Sequence, residues 1–537
     1  MLTKASKYMM MAAFAAMGAG MTSCNDWLGE DSPGSTKLDD FFVNGTACIQ
    51  TINGCYQPLM YEYNTTYYSE WFIGDIASDD ALKGGQNLTD MAAAYDIENF
   101  KTNPNNEICL DYYRAKYLGI IRCNLALREI AKYEVDETLS QERKDCLLGE
   151  AYFLRGLYYF QLVRVFGGVP LVHDVLDSSE KWQQPRASVE DVYESIISDL
   201  ELAEQLLFER DEYASEDLGR ATKAAAQGML CKVNLYKKDY DEAYKWGKKF
   251  VDDQYRTGKY SLVADYYSNF TTYGENSSES VFQIQYAADP TSDYGQGNGF
   301  TRGTFTTILS RPRLSSLGGN SGWGFNHPTH NLYAEYEPGD ARRDLTIGEP
   351  DDADKQSVDV TYLGSAYYNR KTAYIENGIF IPLDHATRSP LNYNVMRVSD
   401  LLLLYAEAAL ESGKSVSDAK WALEEVRKRA RALADDPSTA LPQFPNYLGY
   451  SDNTESLRKA IRHERRVELA MEGHRWFDLV RWGIAYEVMD KDNGSYGKTE
   501  SAEARAEMAN FIKGKHELLP IPAEERALNP MEQNPGY

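Results

Sequence analysis

Cysteine is scarce and unevenly spread: there are seven in 537 residues, none after Cys231, and no CxxC pair anywhere. A disulfide framework would distribute its bridges along the chain. Cys48, Cys55, Cys109, Cys123, Cys146 and Cys231 therefore read as buried free thiols, with at most one bridge among them. Positive charge is short as well. Lys and Arg number 56 against 81 Asp and Glu, and the formal charge of −25 repels a phosphate backbone and excludes broad nucleic-acid binding. Past the first thirty residues no apolar run is long enough to span a bilayer.

Signatures of catalysis are missing too. The seven His form no HExxH or other metal spacing, and His327 and His330 are a lone pair in a loop. Ser321, between Asn320 and Gly322, has no triad context. Gly413-Lys414-Ser415 lacks the upstream glycine of a phosphate loop. Asp351, Asp352 and Asp354 lack the Gly and terminal Glu of a calcium loop. No cofactor and no metal are expected. Paired carboxylates among 81 acids leave a glycosidase open by counting alone.

What is present is an ordinary globular mix, 43% hydrophobic and 26% charged, enough for a sizeable core. Tyr is unusually common, 39 against 19 Phe; its apolar ring and polar tip suit wet interfaces as well as cores. At the N-terminus Lys4 and Lys7 precede an apolar stretch from Met9 to Gly20, then Met21-Thr22-Ser23-Cys24. That order reads as a secretory signal over residues 1–23. A Cys after small residues resembles a bacterial lipobox, in which Cys24 becomes the lipidated N-terminus; Met21 and Thr22 depart from its commonest pattern. Removing Lys4 and Lys7 takes the charge from −25 to −27. Residues 24–37, rich in Gly, Pro, Ser and charge, read as a tether that anchors the body to a membrane it does not enter.

From residue 107 to about 250 apolar residues recur at intervals of three and four, as in Tyr112, Tyr113, Lys116, Tyr117, Ile120 and Ile121. A helix through Phe153, Leu157 and Phe160 should stop at Gly167-Gly168 before Pro170. Further helical runs cover 189–207, 221–237 and 241–251, and a second block covers 396–410, 417–433 and 454–482. Leu230, Cys231, Tyr240 and Ala243, and again Leu403, Ala406, Leu410 and Ala419, approach tetratricopeptide spacing without a 34-residue period. Between 256 and 395 short β-favouring runs, at 280–286 and 378–382, lie among loops long enough to suggest a function. The densest charged segment, Ile461–Trp482, places Arg465 near Glu468 and Asp478 near Arg481 on a helix. It reads as a network fixing helices together, in preference to a catalytic group built on His474, Arg475 and Asp478.

Four stretches, Ala151–Pro170, Met396–Ala408, Glu464–Trp482 and Leu519–Tyr537, behind a lipobox, resemble the SusD/RagB family of outer-membrane lipoproteins over nearly the whole chain. The resemblance implies a mainly α scaffold of tetratricopeptide-like helix pairs with a loop-rich, partly irregular C-terminal portion. It divides the chain at 38–255 and 256–537. It implies a non-enzymatic, lipid-anchored protein at the outer-membrane surface, partnered with a SusC-like TonB-dependent transporter and delivering a glycan for uptake. A peptide-binding, RagB-like cargo is the alternative reading, and a surface glycosidase a further one.

The expected site is the loop region 294–334, facing the segment that holds Trp71. Those 41 residues contain no Asp or Glu in a chain that is about 15% acidic, yet they hold Arg302, Arg311 and Arg313. Glycine is enriched there, which permits close backbone approach. Trp323, Tyr294, Phe300 and Phe325 offer platforms, and Asn298 and Asn320 offer hydroxyl partners. Upstream, Tyr67, Tyr68 and Trp71 precede Gly84-Gly85-Gln86-Asn87, and the resemblance implies that this region supplies part of the site. The ligand set is then Trp323, Tyr294, Trp71, Asn87, Arg302 and Asn320, with the missing acids favouring an anionic glycan, although the three Arg could equally pair with neighbouring carboxylates. A purely packing role for these aromatics is the competing reading.

Overall fold

The structure, a computed structural model, describes residues 41–62, 66–178, 181–293, 301–350, 365, 367–434, 436–490, 494–496 and 510–537. Cys24 and the tether, Tyr294, Asn298, Phe300 and the aspartates at 351–354 lie outside the described residues.

Helices begin where the chain supplies a side-chain cap. Asn44 caps α1 (Gly45–Tyr56), Asn106 caps α2 (Glu107–Lys132) and Ser140 caps α3 (Gln141–Phe166). Ser188 and Asp191 form a reciprocal capping box on α4 (Val189–Leu206). Thr222 caps α5 (Lys223–Lys237) and Asp239 caps α6 (Tyr240–Phe250). Each such cap contributes about 1 kcal/mol by satisfying a backbone N–H that the helix cannot. α3 ends at Gly167, where the sequence pattern places the stop.

Consecutive helices pack in pairs from α1 through α6. After a short helix, α7 (Thr306–Ser310), the second block contains α8 (Val398–Glu411), α9 (Val416–Arg431), α10 (Thr454–Leu469) and α11 (Arg475–Arg481). α8 packs on α5 and α6 as well as on α9 and α10, so both blocks share one core, running from Cys48 to Ile521. The fold is mainly α, with helix pairs like those of tetratricopeptide repeats. All six described cysteines are free and buried within it, and burial pushes the Cys48 thiol up to about 11.

Short antiparallel strand pairs close the irregular middle. β1 (Ala81–Gly84) pairs with β3 (Phe325–Pro328), Leu82 opposite His327. β2 (Ser280–Ile284) pairs with β4 (Tyr393–Arg397). The expected run at 378–382 forms one arm of a small hairpin, Ile375–Glu376 against Ile379–Phe380. Two helical expectations are corrected. Met396 and Arg397 belong to β4, because they pair with Phe282 and Ser280, and the helix starts only at Val398. The run 454–482 breaks into α10 and α11, with Met471 and Gly473 in left-handed conformations between them.

The charged segment holds helices together. Asp478 pairs with Arg481 at 2.8 Å as its spacing implies. The expected Arg465–Glu468 pair is replaced: Arg465 turns to Asp400 (2.9 Å) and Asp478 (3.0 Å). Glu468 faces Arg397 (3.0 Å), Arg342 (2.9 Å) and Arg429 (2.5 Å). Burial works against the Glu468 carboxylate, but Arg429, Arg397 and Arg342 hold it well below the usual range. Removing one partner from such a cluster strands a buried charge and costs about 3–5 kcal/mol.

Candidate functional site

The β1–β3 ladder brings the two expected segments face to face. Beyond it, the Gly85 N–H donates to the Gly324 carbonyl at 2.5 Å, and Arg313 pairs with Asp90 at 3.3 Å. Upstream, Trp71–Gly74 forms a single helical turn. Trp71 is only 2% exposed, stacks on Phe72 with ring centroids 3.8 Å apart, and donates its indole N–H to Thr306 Oγ1 at 3.1 Å. It is therefore an anchor behind the surface and not a platform on it, which corrects the expectation for this residue.

Trp323 and Tyr67 are the partly exposed aromatics of this region. Trp323 is half-buried and meets the Tyr67 ring edge-on, centroids 5.3 Å apart, while Tyr67 packs on Phe305 at 4.9 Å. The Trp323 backbone is pinned on both sides: its N–H donates to the Ile308 carbonyl (2.8 Å), and its carbonyl accepts from Arg313 Nε (2.6 Å). Before it, Gly322 lies so close to Arg311 that an added Cβ would stand 2.2 Å from the Arg311 carbonyl oxygen. Glycine enrichment here is thus tied to close approach of the backbone.

Two of the three arginines are met by carboxylates, and the third is buried away from the surface. Arg302 pairs with Asp289 at 2.8 Å, and Arg313 with Asp90. Arg311 is fully buried and donates to the carbonyls of Ala373 (3.1 Å) and Ile381 (2.9 Å); burial lowers its pKa to about 10. The two partly exposed arginines of the window thus recruit acids from neighbouring segments, which weakens the basis for an anionic ligand. Asn87 lies exposed in the loop after β1, where its Oδ1 accepts from the N–H groups of Thr89 and Asp90, both at 3.0 Å. The same loop reaches the Trp323 segment through Asp90 and Arg313. Asn320 closes the 3₁₀ stretch Ser315–Asn320, its carbonyl accepting from Arg311 at 3.4 Å.

Phe305, Asp90 and Glu62 join this region without having been expected. Glu62 contacts Thr304 across 242 positions of sequence, and no periodicity announces such a pair. Elsewhere a cavity of about 310 Å³ opens between Tyr56, Leu59, Leu218 and Ile284. Its polar groups are spent internally, Arg220 on Glu150 and Asp217 and Gln283 on Asn394. Among the described residues no group of three or more His, Cys, Asp or Glu is placed to hold a metal ion, and no helix is long and apolar enough to cross a membrane.

Residues 278–537 match a model of the SusD family, and residues 26–235 match a second, described as starch-binding and associating with the outer membrane. The chain belongs to the SusD/RagB family. It is 26% identical to SusD-like protein P2 of Formosa agariphila, over 96% of this chain and 97% of that protein. A SusD-like protein of Bacteroides ovatus is 24% identical over 89% of this chain and 82% of its own. Among solved structures, surface glycan-binding protein A from Bacteroides fluxus superposes with a TM-score of 0.76 at 25% identity, covering 92% of this chain and 99% of that one. A laminarin-binding SusD-like protein gives 0.74 at 28% identity, covering 92% and 100%. The helix pairs described above are thus the SusD-like scaffold, with Trp323 in the portion that matches the SusD family model and Tyr67 in the portion that matches the second.

Proposed function

We propose that this SusD/RagB chain is a non-catalytic glycan-capture protein, lipid-anchored through Cys24 at the outer-membrane surface, that hands its ligand to a SusC-like transporter. The observation that carries the reading is the aromatic wall of Trp323 and Tyr67, backed by the buried Phe305 ring. A pyranose presents an apolar C–H face, and covering about 80 Å² of it on one ring contributes roughly 2 kcal/mol. Asn87 and Asn320, on the loops beside the wall, supply side-chain amides for hydroxyl groups. Two such contacts, less the cost of ordering the ligand, give affinities of about micromolar to millimolar. The similarity to a surface glycan-binding protein and to a laminarin-binding SusD-like protein points the same way. Because Arg302, Arg311 and Arg313 are already partnered, a neutral glycan fits better than an anionic one, and laminarin is the first probe.

The test is affinity electrophoresis of the mature protein through gels containing laminarin and a panel of neutral and acidic polysaccharides, with reducing sugars assayed in parallel. Retarded migration on a neutral polymer without release of reducing ends is expected. Uniform migration on every polymer, or new reducing ends, contradicts the reading.

A further inference from the structure

We infer that Glu62 is the positioning residue that locks the two walls of this site together, setting the geometry of Trp323 and Tyr67 without itself touching the ligand. The inference rests on the proposed glycan site for its functional consequence, but its structural content stands apart from the identity of the ligand.

Glu62 is 6% exposed and lies where the segment carrying Tyr67 meets the one carrying Phe305. Its carboxylate collects four donors from both sides. Oε1 accepts from Ser69 Oγ (2.9 Å) and Thr306 Oγ1 (2.6 Å). Oε2 accepts from Thr304 Oγ1 (2.7 Å) and the Phe305 N–H (2.5 Å). Its backbone carbonyl accepts from the Tyr68 N–H at 2.9 Å. One residue thereby holds the backbone directly after Tyr67 and grips the turn that starts α7. From α7 the geometry passes on directly, because the Ile308 carbonyl holds the Trp323 N–H.

The direction of each hydrogen bond makes a carboxylate necessary. Thr306 Oγ1 accepts the Trp71 indole N–H, and its own proton goes to the nearer acceptor, Glu62 Oε1 at 2.6 Å, in preference to Ser69 Oγ at 3.2 Å. The Phe305 N–H cannot rotate or reverse. A carboxylate offers about four acceptor positions and no donor, which matches this surround. An amide of the same shape turns an NH₂ group towards either Phe305 or Thr306, and one buried donor then loses its acceptor. The β1–β3 ladder and the Arg313–Asp90 pair join the walls at another edge. Weakening Glu62 therefore lets the walls shift about that edge while the helical body stays intact.

The experiment compares parent, Glu62→Gln and Thr304→Val. The protein is labelled with 5-fluorotryptophan, and the Trp323 and Trp71 ¹⁹F resonances are assigned with Trp323→Phe and Trp71→Phe. In Glu62→Gln the Trp323 and Trp71 resonances should shift or broaden while that of Trp421, on α9, stays in place. Affinity for laminarin should fall about tenfold. Thr304→Val leaves the carboxylate but removes one donor together with the acceptor of the Thr306 N–H (3.0 Å); it should move the same resonances, and it decides the matter if the glutamine variant does not fold. Unmoved Trp323 resonances in both variants overturn the proposal, as does unchanged laminarin affinity in a variant whose wall has moved. If the parent does not bind laminarin, the laminarin reading fails, while the fluorine resonances still decide the role of Glu62.

Discussion

Asp75 lies directly behind the site and is held by two neutral donors, the Asn326 side-chain amide (3.2 Å) and the Gly473 N–H (2.8 Å). Burial pushes its pKa up to about 7; the two hydrogen bonds oppose that rise, and Asp80 and Glu472 add to it. The folded protein thus holds this proton more tightly than the unfolded chain. Its contribution to stability is complete below about 3.8 and is lost as the pH rises towards 7. Between pH 5 and pH 8 the parent should lose on the order of 3 kcal/mol through this group alone. Asp75→Asn removes the titration. Its amide also has a partner waiting, because Asn326 Oδ1 is buried without one. The stability of this variant relative to the parent should therefore improve from pH 5 to pH 8 in denaturant titrations, and a difference that is flat with pH contradicts the assignment. At this scale Trp71 and Trp323 look alike in sequence, each a tryptophan beside a proposed loop. What separates them is burial, which follows from contacts such as Trp71 with Thr306 that no local pattern contains.

At the scale of elements, periodicity and caps made most helices legible. α3 and its stop at Gly167-Gly168 stand where the pattern puts them, and the β-favouring run from Ser280 forms a strand. What was not legible is where a long-range partner overrides a local preference. Met396 and Arg397 continue a helical pattern into α8, yet strand pairing with β2 captures them. The break between α10 and α11 serves packing against the site: Gly473 and Gly74 meet so closely that a Cβ on Gly74 would stand 2.1 Å from the Gly473 carbonyl oxygen. Backbone cannot yield as a flexible side chain can. Gly74→Ala should therefore cost about 1–3 kcal/mol or more, seen as a lowered melting temperature. An unchanged melt would mean that the contact is not tight. Because Gly74 ends the turn that begins at Trp71, the same variant should also weaken glycan binding.

At the scale of the molecule, the ordered motifs made the SusD/RagB scaffold legible, since they encode the buried ion network and helix contacts shared by the fold. The site was only partly legible. The pairing of the 294–334 region with the Trp71 segment holds for its described part, through β1–β3. Of the two ways to read the acid-free window, the structure favours pairing with neighbouring carboxylates for Arg302 and Arg313, because Asp289 and Asp90 come from outside it to meet them. The anchor proposed at Cys24 is tested at the same scale. Cys24→Ala should leave a folded protein that no longer sediments with outer membranes, whereas unchanged retention would locate the anchor elsewhere.

The central claim is that a glycan is captured on the Trp323 wall, and calorimetric titration of parent and Trp323→Ala tests it most directly. The titrant is laminarin or whichever neutral polysaccharide retards the parent in the gel. Loss of one stacking ring should remove about 2 kcal/mol, roughly 30-fold in Kd, while the melting temperature stays close to that of the parent. A folded Trp323→Ala protein that binds as tightly as the parent would contradict the account.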